Sequence, residues 1–137
     1  MLIKSTVFNG GSLHYCPPGK SVSMGKIFHL ADKTAWQKAQ RTGKYFGSAN
    51  DAADGFMHFS TREQVRESAA KHRRGVRDLL LLEVDAVALG DALRWEAARG
   101  GQLFPHLYAP LSVADVIAVH ELPLGDDGLH VFPALDA

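Results

Sequence analysis

Three histidines of the chain lie inside short apolar segments. The segments are IFHL around His29, GFMHFS around His58 and LFPHLY around His106. A neutral imidazole has one hydrogen-bond donor and one acceptor, and both need partners when the ring is buried. Two of the segments also carry a hydroxyl, from Ser60 and Tyr108. The pattern predicts a shared polar pocket with apolar walls.

The first two segments also have purely structural interpretations. On a strand, His29 shares a face with Ile27 and can serve as a core histidine bonded to a backbone carbonyl. Ser60 shares a face with His58 and is equally a natural N-cap of the following helix. Both roles are compatible if the hydroxyl lies at the mouth of a pocket, where the amides of a helix start favour an anionic ligand.

The later candidates are His106 and Tyr108, in the segment after Gly100-Gly101, and Glu96 on a predicted strand. An imidazole and an aromatic ring in such a loop form either a binding loop or a packing contact against the sheet. Glu96 shares a strand face with Arg94, so it forms either a surface ion pair or a carboxylate that stabilises positive charge developing in a substrate.

Metal and nucleic-acid sites are less well supported. The three histidines can supply three zinc ligands, with Glu96 or Asp54 as the acidic one, but none of them has the short spacing of a metal motif. We predict no metal site. The basic run at residues 71–77 is typical of a helix C-terminus. It also allows a phosphate-bearing ligand or RNA, although no aromatic residues interleave with it as RNA binding would favour.

Composition indicates one soluble globular domain. The chain has 137 residues, is 46% apolar and 22% charged, and carries no net charge with histidine neutral. Its single cysteine, Cys16, excludes an intramolecular disulfide and fits a reducing compartment. No segment reaches the length of about 18 apolar residues that a membrane span needs, and residues 1–8 do not resemble a secretion signal. We therefore expect a cytoplasmic protein without membrane contact. Its oligomeric state is not indicated.

The pattern of elements predicts an α+β fold with two early helices. Residues 1–25 form an N-terminal extension, and residues 26–137 form the domain. A first helix is expected from Asp32, its N-cap, to Gly43, and a second from a capping box at residues 60–63 to Gly75. Residues 45–54 are predicted to be a polar loop. The predicted strands are 27–30, 56–60, 79–84, 93–96, 116–122 and an edge strand at 129–132.

Five segments together resemble a known family. They are IFHLADKTAWQKAQRTGKY, DGFMHFSTREQV, LLLLEVD, RWE and LFPHLYAPL, which occur in this order between about residues 26 and 133. In these motifs the chain resembles the bacterial family named domain of unknown function 952. That family is grouped by resemblance with the ADP-ribosyltransferase-like fold, near the NAD-dependent RNA 2'-phosphotransferases. The resemblance implies a split β-sheet core with a cleft for NAD.

The resemblance also implies roles for particular residues. His29 matches the first-strand histidine that contacts the cofactor, His58 with Ser60 matches the second-strand position, and Glu96 matches the late-strand glutamate. His106 and Tyr108 belong to the family's own signature and would bind the acceptor or stack on a ring. Ser60 stands where the phosphotransferases carry an arginine, which disfavours phosphotransfer.

Three functions follow as alternatives. The first is an enzyme that uses NAD as a substrate for ADP-ribosyl or related glycosyl transfer, with Glu96, His58 and Ser60 as catalytic residues. The second is a non-catalytic module that binds a nucleotide or a small anion. The third is a metal-dependent enzyme ligated by the three histidines.

Overall fold

The computed structural model of the protein describes residues 25–135. It has an α+β fold of antiparallel sheets and three short α-helices, which confirms the predicted fold class at that level. The helices are α1 (Lys33–Thr42), α2 (Ala49–Asp54) and α3 (Arg62–His72). The strands are β1 (Lys26–Asp32), β2 (Lys44–Tyr45), β3 (Met57–His58), β4 (Leu79–Asp85), β5 (Leu93–Ala97), β6 (Leu103–Leu107), β7 (Leu111–Ser112) and β8 (Val116–Leu122). Short 3₁₀ turns occupy Ala86–Ala92, Arg99–Gly101 and Val113–Asp115.

The main sheet has three antiparallel strands in the order β1–β4–β8. The run of four leucines in β4 is almost entirely buried, because this central strand is covered on both faces. Successive side chains of a strand point to opposite faces. Leu80 and Leu82 therefore belong to one core, whereas Leu79 and Leu81 belong to another.

The two cores lie on opposite faces of the main sheet. The larger core packs the sheet against α1, the short strand pair β2–β7 and the second sheet, and it includes Ile27, Trp36, Tyr45, Phe59, Leu82 and Leu107. The smaller core packs the other face against α3 and the C-terminal segment, and it includes Phe28, Val65, Leu81, Leu122 and Leu135. This double burial fixes the sheet as the scaffold on which the remaining elements are placed.

A second antiparallel sheet has the order β3–β6–β5. Its register sets His58 opposite His106, and His106 opposite Arg94, so these three residues lie in one row. Residues opposite each other on neighbouring strands point to the same face. Glu96 lies two residues beyond Arg94 on β5, and Tyr108 lies two residues beyond His106, just past the end of β6. Both share that face, since the Tyr108 hydroxyl bonds Glu96.

One backbone bridge joins the second sheet to the first. Phe28 and Ser60 exchange two N–H to carbonyl hydrogen bonds, each 2.8 Å long. In addition, the Phe59 N–H donates to the carbonyl of Pro105 at 2.9 Å. The bridge brings His29 of β1 beside His58 of β3.

Most predicted elements are present, and the first helix ends as expected. Gly43 has the left-handed conformation (φ 88°), and its N–H closes the helix on the Ala39 carbonyl. Asp32 occupies the N-cap of α1, but its side chain does not bond the helix amides and pairs with Arg73 instead. The predicted N-terminal extension lies outside the described residues except for Gly25, whose carbonyl accepts from the Ala86 N–H.

Four local predictions are wrong. The predicted polar loop contains α2, which Ser48 caps together with Asp51. The N-cap of α3 is Thr61 with Gln64 rather than Ser60 with Glu63, because the backbone of Ser60 is held in the bridge to β1.

The other two differences lie later in the chain. The predicted edge strand at 129–132 is reduced to a single bridge between Leu124 and His130. Residues 103–107, by contrast, form the central strand of the second sheet rather than a loop. Among residues 25–135, no helix has the length and apolar character needed to cross a membrane.

The central position of β4 leads to a stability prediction. Leu82→Ala should lower the free energy of unfolding by about 2–5 kcal/mol, because the fully buried side chain leaves a cavity between two packed sheets. The matched control is Ile117→Ala on β8, since Ile117 is 53% exposed and should cost less than about 0.5 kcal/mol. Urea denaturation followed by circular dichroism measures both, and equal losses would contradict the central role of β4.

Candidate functional site

A cleft of about 330 Å³ opens beside the junction of the two sheets. This volume is at the small end of the range of ligand pockets in proteins. Its walls come from β1, α2, β3, α3 and β6, and the polar side chains that matter most are His29, Asp51, Asp54, His58, Arg73 and His106. The predicted convergence of the three histidines is therefore observed, with apolar walls from Phe59 and Phe104 among others.

His29 is buried and uses both of its ring nitrogens inside the protein. Its Nδ1 lies 2.6 Å from the carbonyl oxygen of His58, and its Nε2 lies 2.9 Å from the hydroxyl of Tyr45. Because a carbonyl only accepts, Nδ1 carries the hydrogen, and in the neutral ring Nε2 accepts from Tyr45. Burial lowers the pKa of His29, although the nearby charge of Asp51 opposes this effect. The neutral His29 ring thus links β1 to β3 through its hydrogen bond to the His58 carbonyl.

Asp51 is the most heavily bonded side chain of the cleft. Its Oδ1 accepts from Nδ1 of His58 at 2.5 Å and from the His58 backbone N–H at 2.9 Å. Its Oδ2 accepts from the Ser48 N–H at 2.6 Å and from the Ser48 hydroxyl at 3.0 Å. Burial opposes ionisation of Asp51, but the hydrogen bonds from His58 and Ser48 outweigh it and hold the pKa of the carboxyl well below its usual range.

His58 lies between two carboxylates. Its Nε2 is 2.8 Å from Oδ2 of Asp54, which follows Asp51 by one helical turn on α2. The hydrogen bond to Asp51, opposed by partial burial and helped by the charges of both carboxylates, raises the pKa of His58. Because carboxylates only accept, both ring nitrogens of His58 carry hydrogens in this arrangement. Two carboxylates and one imidazolium leave this cluster with one net negative charge.

His106 forms a second histidine–carboxylate pair, with Glu96. Its Nδ1 lies 2.8 Å from Oε1 of Glu96, and the Tyr108 hydroxyl donates to the same oxygen at 2.7 Å. The hydrogen bond from Tyr108, followed by that from His106, lowers the pKa of Glu96. His106 lines the cleft, whereas Glu96 and Tyr108 do not. The structure therefore places His106 in the same cleft as His29 and His58. Its partners Glu96 and Tyr108 lie outside the cleft lining.

The remaining predicted residue, Ser60, is buried in the cleft wall. Its hydroxyl donates to that of Ser68 on α3 at 3.1 Å. Because its backbone pairs with Phe28 and Thr61 caps the helix, Ser60 is not the N-cap of α3.

Two residues of the site, Asp51 and Tyr45, were not singled out from the sequence. Both gain their importance from contacts with distant parts of the chain. Only Asp51 had a detectable signal, because Ser48 and Asp51 have the S-x-x-D spacing of a capping box. The predicted loop over residues 45–54 did not include this capping box.

The basic run predicted at residues 71–77 is largely engaged within the fold. Nη1 of Arg73 lies 3.2 Å from Oδ1 of Asp32, and Lys71 pairs with Glu67 along the helix. Arg73 is nevertheless part of the cleft wall, together with His72. The cleft thus holds a guanidinium as well as its carboxylates. Over the described range 25–135, no three His, Cys, Asp or Glu side chains are arranged to hold a metal ion.

Comparisons with known proteins give the chain a family but no activity. The model of the family described as "Protein of unknown function (DUF952)" matches residues 30–119. The X-ray structure of protein CC0527 from Caulobacter crescentus is 46% identical in sequence, covers 77% of this chain and 93% of its own, and superposes with a TM-score of 0.75. The solution NMR structure of CC0527 is 47% identical, covers 76% and 90%, and has a TM-score of 0.69. No match was found among curated proteins.

The buried carboxylate gives a second stability prediction. Asp51→Asn should lower the free energy of unfolding by about 3 kcal/mol, because the amide cannot accept all the hydrogen bonds of the carboxylate and leaves His58 without its main counter-charge. Asp54→Asn is the matched control and should cost less than about 1 kcal/mol, since Asp54 is half-exposed. Equal effects in urea denaturation would contradict the central role of Asp51.

The raised pKa of His58 predicts a pH dependence with a definite sign. A group whose pKa is higher in the folded state stabilises the fold fully below its unfolded pKa, about 6.5 for histidine, and loses this contribution as pH rises through the folded pKa. The stability difference between wild type and His58→Gln should therefore be largest near pH 6 and shrink towards pH 9. His29, whose pKa is lowered, acts in the opposite direction but is common to both proteins. Urea denaturation between pH 6 and pH 9 measures the free energy of unfolding of both proteins. A difference between them that grows with pH would contradict the prediction.

Proposed function

This chain belongs to the DUF952 family, and we propose that its cleft binds NAD as a substrate and cleaves the bond between nicotinamide and ribose, with transfer of the ADP-ribosyl group. One observation carries the proposal. The same cleft holds a net negative cluster, Asp51–His58–Asp54, and a guanidinium, Arg73. NAD has complementary charges, with a cationic nicotinamide ring and an anionic pyrophosphate.

The negative cluster suits the reacting end of the molecule. Cleavage of an N-glycosidic bond develops positive charge on the ribose, and carboxylates stabilise such oxocarbenium-like transition states in glycoside hydrolysis. Asp54 is half-exposed and binds only one nitrogen of His58 in the cleft. Its carboxylate can therefore accept hydrogen bonds from ribose hydroxyls while the buried Asp51 keeps His58 in place.

The guanidinium suits the phosphate end. Arginine is favoured in phosphate recognition because its planar group donates several hydrogen bonds in a fixed geometry. Among the described residues, the Arg73 guanidinium bonds Asp32, whose side chain is half-exposed, and does so through Nη1. We propose that its other donors bind the phosphates. Phe59 and Phe104 supply apolar walls to the same cleft.

The size of the cleft limits what it can hold. At about 330 Å³ it fits the nicotinamide–ribose half more readily than a whole dinucleotide. We propose that this half is enclosed and that the phosphates lie along Arg73 towards solvent.

The ADP-ribosyltransferase-like grouping implied by the sequence motifs supports the same assignment. The side-chain contacts lead us to revise the roles assigned from sequence. His29 has both nitrogens engaged and positions His58 rather than binding ribose directly. Glu96 lies behind His106 and acts through it. Ser60 stays in the proposed nicotinamide cleft.

Nicotinamide release provides the test. The purified protein incubated with NAD should release nicotinamide, measured by chromatography, and calorimetry should show saturable NAD binding. Asp54→Asn should lower the rate at least about 10-fold, because it removes the carboxylate nearest the developing charge. Asp91→Asn makes the same charge change outside the cleft and should leave the rate unchanged.

Two outcomes would replace this assignment. Saturable binding without nicotinamide, whether with water or with a panel of hydroxyl and amine acceptors, would show a non-catalytic nucleotide-binding module. Absence of any NAD binding would refute the NAD assignment altogether.

A further inference from the structure

We infer that His106 is the general base of the cleft and that Glu96 and Tyr108 are the residues that position it. The inference rests on the proposed function, because it concerns the proton of the group that accepts ADP-ribose. It assigns a role to the group of His106, Glu96 and Tyr108, of which only the His106 ring lines the cleft.

The hydrogen bond to Glu96 determines which nitrogen of His106 is available. A carboxylate only accepts, so Nδ1 carries the hydrogen and the neutral ring keeps its lone pair on Nε2. Glu96 lies outside the cleft lining while His106 lies within it. Among the side chains that the structure describes, none bonds Nε2 of His106, so this nitrogen is the one left for a ligand.

The imidazole of His106 is also held in one orientation. The Phe56 ring stacks on it with 4.1 Å between centroids and an angle of 27°. The Tyr108 hydroxyl shares the Glu96 oxygen, and the Arg94 guanidinium lies 5.2 Å from the centre of the Tyr108 ring. A base whose partner is itself positioned is the arrangement that enzymes use to activate a nucleophile.

The other two predicted histidines cannot take this role. His29 uses both nitrogens for Tyr45 and the His58 backbone. His58 directs both nitrogens at carboxylates. The rings of His58 and His106 are 5.6 Å apart, so one ligand can contact both. The cleft thus combines an imidazolium held by carboxylates with a second ring that pairs with a carboxylate through Nδ1 only.

The proposed step balances with water or an alcohol as acceptor. The bond from ribose C1′ to the nicotinamide nitrogen breaks, and its electron pair stays on that nitrogen, which becomes neutral. The acceptor oxygen bonds to C1′, and its proton moves to Nε2 of His106. Glu96 stabilises the resulting imidazolium through Nδ1, and the proton is then lost to solvent.

Turnover of His106→Gln tests the inference. It should lower kcat for nicotinamide release about 100-fold, a typical contribution of a general base, while the dissociation constant for NAD changes less than about threefold. The acid limb of the wild-type pH–rate profile should disappear in this variant. His120→Gln is the matched control, because His120 also pairs with a carboxylate, Glu83, but lies outside the cleft. Full activity of His106→Gln with an unchanged pH profile would overturn the inference.

Glu96→Gln tests the positioning role. It should lower kcat about 10-fold or more and alter the pH profile, with little change in NAD affinity, because the amide can favour the wrong tautomer of His106. Glu96→Asp should restore part of kcat, since it keeps the charge. A loss of folded protein without these kinetic changes would make Glu96 merely structural and contradict its assignment.

Nitrogen NMR separates this inference from the proposed function. The His106 ring, identified by its absence in His106→Gln, should show the Nδ1–H tautomer, and saturating ADP-ribose should shift its Nε2 signal. If wild type releases no nicotinamide, the proposed reaction fails and the base role of His106 fails with it, whether or not Nε2 responds. If nicotinamide is released and Nε2 does not respond, only the inference fails. If ADP-ribose does not bind, both fail.

Discussion

The buried carboxylate of Asp51 is the constraint on which the site depends. Removing a charge from water is costly unless hydrogen bonds and a counter-charge replace the lost hydration. Asp51 obtains both, from Ser48 at the start of α2 and from the ring and backbone of His58. One side chain thereby fixes a helix, a strand end and the orientation of an imidazole. His29 extends this network to the main sheet through the His58 carbonyl.

The network divides the histidines into different chemical states. His29 has both ring nitrogens engaged within the protein, His58 lies between two carboxylates, and His106 pairs with one carboxylate through Nδ1. Burial and the identity of each partner produce these differences, because the three side chains are otherwise identical. A site assembled this way can bind unlike charges at once, and the proposed NAD chemistry uses that property.

The strand alternation of the second sheet places core residues and site residues in the same short segments. In FMHFS, LFPHLY and RWE, alternate residues enter the core, and the residues between them carry the site. Met57, Phe59 and Leu107 pack against the main sheet, while His58 and His106 share the other face. The core and the site are thus encoded in the same few positions, so that a change of register in either strand would disrupt both.

The sequence by itself determined the α+β class, the central strand and the end of α1 at Gly43. These features follow from apolar runs, period-two alternation and glycine conformation, which are local properties. Only the tertiary structure decided that Asp51 is the central carboxylate, that Thr61 replaces Ser60 as a cap, and which histidine nitrogen is left open. These outcomes depend on partners far apart in the chain, such as His29 with the His58 carbonyl, and local propensity carries no information about such pairings.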